Sequence, residues 1–286
     1  REYNFYYKDL KPKILITNFK KDHPAVKSAK ARKIKILNIK DYIFFNNSLS
    51  KQNASNENSK PTYSDIALIL HTSGTTSKPN MVPLSHKNLL KSSANISKSL
   101  QLKKKDRNVI LMPSFHIHGI VASILAPLCS GSQIVALPKF NVLNFYNYLS
   151  IHKPTWLTAV PTMLQSIADR AKNNKEIVKN SKLRFIRSSS ASLPTNTLKE
   201  IESIFKVPVI ESYGMTEAAH QMTTNLLPPY HRKVGSVGKS VGLKVKIVDL
   251  KFNTLKANQT GEVVIKGENV ISKYLASKKI NIDSFY

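Results

Sequence analysis

Ile66-Ala67-Leu68-Ile69-Leu70-His71-Thr72-Ser73-Gly74-Thr75-Thr76-Ser77-Lys78-Pro79-Asn80 is the stretch around which the chain is organised. It opens on an uninterrupted apolar run, Ile66 to Leu70, which reads as a buried strand. The strand empties into a loop made almost wholly of hydroxyls, one glycine and one lysine. Ser73, Thr75, Thr76 and Ser77 offer short hydrogen-bond donors, Gly74 lets the backbone turn its N–H groups inward, and Lys78 adds a point charge. That combination suits the oxygens of a polyphosphate. The pattern of the common nucleoside triphosphatases, two glycines bracketing four residues ahead of Lys-Ser/Thr, is absent. An arbitrary Ser/Thr-rich loop is more often a solvated turn, so the weight rests on the whole string.

Outward from this stretch, strand and helix alternate. Upstream, residues 12–18 and 33–39 read as strands separated by a lysine-rich helix near 24–32, a βαβ rhythm that begins a parallel sheet. Residues 46–62 hold many Asn, Ser and Lys and almost no apolar groups, so a flexible exposed loop is expected there. Downstream, helices at 85–100, 118–130, 142–152 and 161–172 alternate with strands at 108–112, 133–137, 155–160 and 183–187. The last strand runs into Ser188-Ser189-Ser190-Ala191-Ser192. On the next helix Leu198, Ile201, Ile204 and Phe205 share a face, and Thr197 stands three residues before Glu200 with the spacing of a capping box. A strand at 207–210 then leads into Ser212-Tyr213-Gly214-Met215-Thr216-Glu217. Three polar loops are thus expected at the carboxyl ends of strands, where open parallel sheets bind ligands. Beyond Leu226 the helices give way to short β-rich runs at 242–249 and 261–266. The expected organisation is an α/β core over 1–227 and a β-rich subdomain of the same domain over 228–286.

Composition sets further bounds. The 286 residues are 41% hydrophobic, enough for a large core. The longest apolar run, Ile120 to Cys129, is broken by Ser123 and Pro127 and falls short of the roughly 18 residues a spanning helix needs, so no membrane span is expected. Cys129 is the only cysteine, which excludes an intrachain disulfide and a cysteine zinc site and fits a reducing compartment, cytoplasmic or peroxisomal. The chain opens at Arg1 and closes on Asp283-Ser284-Phe285-Tyr286, which is no Ser-Lys-Leu address, so targeting is unread. With 44 Lys+Arg against 17 Asp+Glu, the net charge is +27. Such a field gathers polyanions and brings a nucleic-acid partner into view. Against it, the lysines are spread along the whole chain and no aromatic-basic repeat occurs; a lysine- and asparagine-rich coding bias is the alternative.

The string Thr-Ser-Gly-Thr-Thr-x-Lys-Pro, followed by Met81-Val82-Pro83 and a helix opening at Ser85-His86-Lys87-Asn88-Leu89, resembles the phosphate loop of the acyl-adenylate-forming enzymes. These include acyl-CoA synthetases, luciferases and peptide-synthetase adenylation domains. Glu211-Ser212-Tyr213-Gly214-Met215-Thr216-Glu217 is similar to the family's Tyr-Gly-x-Thr-Glu motif. The resemblance implies the large N-terminal α/β domain of that fold, parallel sheets flanked by helices. It also implies a ligase that joins a small carboxylic acid to the α-phosphate of ATP with Mg²⁺ and then passes it to CoA. By the same resemblance Thr72, Ser73, Gly74, Thr75, Thr76, Ser77 and Lys78 hold the β- and γ-phosphates, and Ser189, Ser190 and Ala191 border the adenine. Ser212, Tyr213, Gly214 and Met215 complete the nucleotide site, with Tyr213 stacking on adenine, Thr216 on the α-phosphate and Glu217 on Mg²⁺. His116, in Phe115-His116-Ile117-His118-Gly119, matches an aromatic motif whose histidine shapes or gates the acyl pocket. An isolated histidine is more often a satisfied structural group, and that discount applies to His118, His86 and His152. His220 is read differently, because it follows Glu217 by one helical turn along the same face.

Four further strings are similar to the oxalate-CoA ligase branch, with 4-coumarate-type and medium fatty acids as the next substrate classes. They are Glu217-Ala218-Ala219-His220-Gln221-Met222-Thr223, Asn225-x-Leu227-Pro228-Pro229, Arg232-Lys233-x-Gly235-Ser236-Val237-Gly238 and Arg187-Ser188-Ser189-Ser190-Ala191-Ser192-Leu193. A dicarboxylate needs donors for its far carboxylate, and Ser190, His220 and His116 supply candidates for charge-assisted hydrogen bonds. Ser77 stands where glycine is commoner, which also fits the oxalate-type branch, and Asn80 replaces a lysine that usually contacts phosphate. The family's ribose-binding Thr-Gly-Asp motif and its small C-terminal domain are not reached within the chain. The resemblance therefore implies either a fragment of a longer product or a truncated relative that does not turn over. The rival from another class is a catalytically inactive nucleotide-binding remnant or a basic RNA-associated protein.

Overall fold

The computed structural model describes residues 2–39, 60–72, 79–275, 281, 282, 284 and 285, and the chain divides after Lys60 into two units. In the first, α1 (Glu2–Leu10) precedes β1 (Ile14–Thr17), α2 (Pro24–Ala31) and β2 (Lys35–Asn38). β1 and β2 pair in parallel, the βαβ unit expected from the sequence. α2 starts where its signals lie, with Pro24 in the first turn and His23 accepting from the Ala25 N–H, and it buries Ala25, Val26 and Ala29. Residues 46–59 of the expected loop lie outside the described residues; Lys60, Pro61 and Thr62 are exposed.

The second unit begins with a hairpin, β3 (Ile66–Thr72) and β4 (Asn80–Ser85), antiparallel from Ile66 opposite Ser85 to Thr72 opposite Asn80. This corrects the sequence expectation, which placed β3 as a buried strand feeding a loop at the end of a parallel sheet. No residue of β3 is fully buried; Leu68 and Leu70 pack on a core cluster while the first residues of the strand face out. A short apolar run does not by itself separate a strand covered on both faces from one covered on one. β4 hands directly to α3 (His86–Ser99), whose N-cap Ser85 accepts from Asn88 N–H while the Asn88 side chain accepts from Ser85 N–H.

The rest of the unit is built on a seven-stranded sheet. Its parallel part comprises β5 (Arg107–Val109), β6 (Gln133–Val135), β7 (Trp156–Ala159), β8 (Phe185–Ser188) and β9 (Val209–Met215), in spatial order β6-β5-β7-β8-β9. Beyond β9 lie β10 (His220–Thr224) and β11 (Lys239–Ser240), both added antiparallel. Every residue of β7 and β8 is buried, as strands must be when both faces of a sheet are covered. On one face α5 (Val142–His152), α6 (Pro161–Arg170) and α8 (Thr195–Phe205) pack on Leu157, Ala159, Ile186 and Val209. On the other, α3, a π-helical stretch His118–Leu125 and α4 (Ala126–Cys129) pack on Trp156, Phe185 and Ile210. α7 (Lys175–Lys179) lies between α6 and β8 in the chain. The apolar face read for α8 is present, with Leu198, Ile201 and Phe205 buried, but the capping box is not. The helix starts after Pro194 without a side-chain cap, and Thr197 donates instead to Gln165 at 2.6 Å. The β-rich end holds a separate antiparallel pair, β12 (Lys244–Val248) and β13 (Glu262–Lys266). Among the described residues no helix is long and apolar enough to cross a membrane.

Candidate active site

Side chains alternate along a strand, so Trp156 and Thr158 share one face of β7 while Phe185 and Arg187 share the same face of β8. The parallel register sets Trp156 beside Phe185 and Thr158 beside Arg187. The first pair is apolar, its rings stacked 5.4 Å apart. The second, nearer the carboxyl ends of the strands, is polar, and His118 at the start of the π-helical stretch meets it there. Gly119 allows this helix its close approach, since a Cβ would lie 2.1 Å from the Pro113 carbonyl oxygen.

Arg187 is 0% exposed and, among the described residues, takes part in no ion pair. Its Nη1 donates to Thr158 Oγ1 at 3.1 Å and faces His118 Nε2 at 3.4 Å; its Nη2 donates to Gln221 Oε1 at 3.1 Å. Burial lowers the guanidinium pKa from the usual 12.5 to about 9. His118, 2% exposed, lies 2.7 Å through Nε2 from Thr158 Oγ1 and 2.9 Å through Nδ1 from Ser190 Oγ. Its ring stacks on that of His220 at 4.6 Å between centroids. Burial first, then the charge of Arg187 and the proximity of His116, push the His118 pKa well below the usual 6.5. His220 is lowered in the same way, by burial and then by His118 and Arg187. Both imidazoles are therefore neutral near pH 7.

A cavity of about 390 Å³ opens in front of this cluster. Leu70 and His71 of β3 form one side, Gly214, Met215 and Thr216 another, and His116, His118, Ser190 and His220 border it as well. The strand end that leads into the expected phosphate loop and the Thr216 end of β9 thus share one space. The loop residues Ser73, Gly74, Thr75, Thr76, Ser77 and Lys78 lie outside the described residues, and Thr72 closes β3.

Glu217 sits on a single 3₁₀ turn, Thr216–Ala218, and the backbone then reverses through Ala219 (φ 48°) and His220 (φ 92°) into β10. The expectation that Glu217 and His220 lie one helical turn apart on one face is corrected here, because His220 opens a strand and stands opposite Met215 of β9. Left-handed backbone at two residues with side chains costs roughly 1–2 kcal/mol each. The turn is pinned accordingly: Ser92 Oγ donates to the Ala219 carbonyl at 2.5 Å, Asn269 Nδ2 to the Ala218 carbonyl at 2.8 Å, and Ile271 N–H to the Glu217 carbonyl at 2.9 Å. A Cβ on Gly214 would lie 1.6 Å from the His220 carbonyl oxygen, so the glycine of this motif is what lets β9 and β10 close together. The Glu217 carboxylate accepts from the Tyr274 hydroxyl at 2.7 Å. Burial first, then that bond and the carboxylate's charge, raise the Tyr274 pKa above its ordinary value.

The other expected residues divide by what their side chains do. Ser189 and Ser212 are buried, and their hydroxyls tie β8 to β9, Ser189 donating to the Ser212 carbonyl at 3.1 Å and Ser212 to the Ser188 carbonyl at 3.2 Å. Ser190 follows in the left-handed region at φ 73°, which turns it out of the strand toward His118 and the cavity. Ala191, Tyr213, Met215 and His116 are exposed. The sequence reading missed His118 as a member of the site, and with it Thr158, Arg187 and Gln221. His118 is indeed a satisfied histidine, yet it also borders the cavity. The available signal was Arg187 in Phe185-Ile186-Arg187-Ser188, a charge inside a strand buried at every position.

The chemistry of the donors bears on a metal. Among the described residues no group of three or more His, Cys, Asp or Glu gathers, and near Thr216 the carboxylate available is Glu217. That fits Mg²⁺, which takes one or two carboxylates and leaves its remaining positions to phosphate oxygens and water.

Residues 1–275 match the family model described as AMP-binding enzyme. The chain is 40% identical over 222 residues to the oxalate-CoA ligase of Saccharomyces cerevisiae, an alignment covering 78% of this chain and 40% of that protein. It is 38% identical over 295 residues to the oxalate-CoA ligase of Arabidopsis thaliana, covering 99% of this chain and 57% of that one. The chain thus spans about half the length of these relatives. ATP-bound MatB from Rhodopseudomonas palustris superposes with a TM-score of 0.86 at 24% identity, covering 100% of this chain and 56% of that one, a likeness of fold. The adenylate-forming α/β fold anticipated from the loop after Leu70 and the string ending in Glu217 is the fold observed, and the chain belongs to the family of AMP-binding enzymes.

Proposed function

We propose that the full-length protein is an acid-CoA ligase that activates a small carboxylic acid with ATP, forming an acyl-adenylate, and then transfers the acyl group to CoA. The single observation that carries this reading is the shared cavity. It is bordered at once by β3, by Met215-Thr216 and by Ser190, His116 and His220, an arrangement that suits a triphosphate meeting a small acid. Relatives named oxalate-CoA ligase support the same chemistry.

In the first step a carboxylate oxygen attacks the α-phosphorus, the bond from that phosphorus to the bridging oxygen breaks, and pyrophosphate leaves. The protein's task is to hold two anions together and neutralise the charge that develops. In this reading Thr216, at the cavity wall, donates to the α-phosphate, and Lys78 with Thr72–Ser77 serves the β- and γ-phosphates. Glu217, oriented by Tyr274, would hold Mg²⁺, which supplies charge neutralisation on the phosphate oxygens. In the second step the CoA sulfur attacks the acyl carbon and AMP departs.

The acid we infer is oxalate. His116, His118, Ser190 and His220 give the cavity polar groups that suit a second carboxylate, beside the apolar Leu70, Met112, Phe115, Ile117, Val160 and Met215, and the relatives named oxalate-CoA ligase support the same acid. The test is an acid panel with the full-length gene product, ATP, Mg²⁺ and CoA, read as thioester formation. Oxalate is expected to outperform 4-coumarate and medium-chain fatty acids; preference for a long or aromatic acid would overturn the substrate assignment.

A further inference from the structure

We infer that Arg187 is a positioning residue that fixes the direction of a buried chain of hydrogen bonds, Arg187 to Thr158 to His118 to Ser190, so that the Ser190 hydroxyl is held as a donor toward a second anionic group of the acid. This rests on the function proposed above and on Ser190 as a donor to the far carboxylate, and adds the buried residues that orient that hydroxyl.

The direction follows from what each group can do. A guanidinium only donates, so Arg187 Nη1 gives a proton to Thr158 Oγ1 at 3.1 Å. The Thr158 hydroxyl has one proton of its own, and His118 Nε2 stands 2.7 Å away. That nitrogen also faces Arg187 Nη1 at 3.4 Å, and a nitrogen looked at by two donors is the acceptor of its ring. A buried imidazole beside an arginine stays neutral, so its one proton is on Nδ1 and is donated to Ser190 Oγ at 2.9 Å. Ser190 accepts from His118, and its own proton is left to point away from the ring. Its φ of 73° sets it on the cavity border, where an anion can accept that proton. Behind the relay the charge of Arg187 has, among the described residues, no carboxylate partner within salt-bridge distance, so the pocket presents positive potential as well as a donor. An acid whose far end is a carboxylate satisfies both. An acid of equal size ending in an aldehyde satisfies neither fully.

The experiment compares oxalate with glyoxylate, which keeps one carboxylate, in acid-dependent exchange of pyrophosphate into ATP by the full-length gene product. Arg187→Met, Thr158→Val and Ser190→Ala are each expected to reduce kcat/KM for oxalate on the order of ten-fold more than for glyoxylate, chiefly through KM for the acid. The double substitution Arg187→Met with Thr158→Val is expected to lose no more selectivity than Arg187→Met alone, because the two act in series. Arg187→Lys, which keeps the charge and a donor, is expected to retain most of the preference. Ser190 is an exposed residue, so Ser190→Ala reports even if Arg187→Met does not fold. Equal losses for both acids in Ser190→Ala and Thr158→Val would overturn the inference. An unsubstituted protein that activates both acids without preferring oxalate would overturn it alone, and one that activates no acid would overturn the functional reading and the inference together.

Discussion

His118 and His220 lie face to face, their ring centroids 4.6 Å apart and their planes 17° from parallel, each 2% exposed and each beside the buried charge of Arg187. Neither ring can take up a proton easily in that setting. The unfolded chain has no such restriction and titrates near the usual histidine value of about 6.5.

The first prediction is therefore acid sensitivity. With both folded-state pKa values depressed, this contribution to stability is fully present above about pH 6.5 and is lost as the pH falls from there toward the folded values, because the unfolded state binds the protons. Each ring adds a slope of up to about 1.4 kcal/mol per pH unit. Denaturant unfolding at a series of pH values is expected to show a falling midpoint below pH 6.5, with a shallower fall in His220→Asn. A midpoint independent of pH in that range contradicts neutral burial of the pair.

A second prediction concerns Gly214. An alanine there puts its methyl into the His220 carbonyl, so β9 and β10 must separate. The expected cost is about 1–3 kcal/mol, read as a lower denaturation midpoint at unchanged m-value. An unchanged midpoint would show that the turn does not need the close approach.

Much of this architecture is legible in the sequence, for definite reasons. The alternation of apolar runs with amphipathic stretches gave the order of strands and helices, and α5 falls at 142–152 as read. The residue types of Thr72 to Pro79 suit phosphate chemistry, and the family followed from the resemblance of that string and of Tyr213 to Glu217 to its motifs. What was not legible depends on partners distant in the chain. β3 looked like a sheet strand because its pairing with β4 leaves no mark on its own residues. His220 looked like a continuation of a helix because left-handed backbone at Ala219 and His220 is not signalled by their side chains. His118, Thr158 and Arg187 come from a π-helix, β7 and β8; the parallel register pairs the last two, and packing of the helix on the sheet brings in the first. The role of Thr197 was lost to a contact with Gln165, a residue of α6.

Glu217→Gln in the full-length gene product should lower adenylation on the order of 10²-fold, the scale expected on losing a charge-stabilising group. The comparison is kcat/KM for ATP under saturating acid. Undiminished activity would remove Glu217 from the metal site.

Asp106 supports the sheet from the opposite end. It is 2% exposed, and its carboxylate accepts from Thr155 Oγ1 at 2.8 Å, Lys103 N–H at 2.8 Å and Arg184 Nη2 at 2.9 Å. Burial opposes its ionised form, but these bonds and the charge of Arg184 outweigh it and lower its pKa. Asp106→Asn should cost about 2 kcal/mol of stability without changing acid preference, the scale for a hydrogen-bonded charged group. Thermal unfolding checks the first part and the oxalate-to-glyoxylate ratio the second.

The most direct test is isotope exchange between pyrophosphate and ATP by the full-length gene product with Mg²⁺ and oxalate, in the absence of CoA. Exchange that depends on oxalate and collapses in Glu217→Gln is the predicted result. A folded protein that binds Mg-ATP yet supports no exchange with oxalate or any other carboxylic acid would contradict the account.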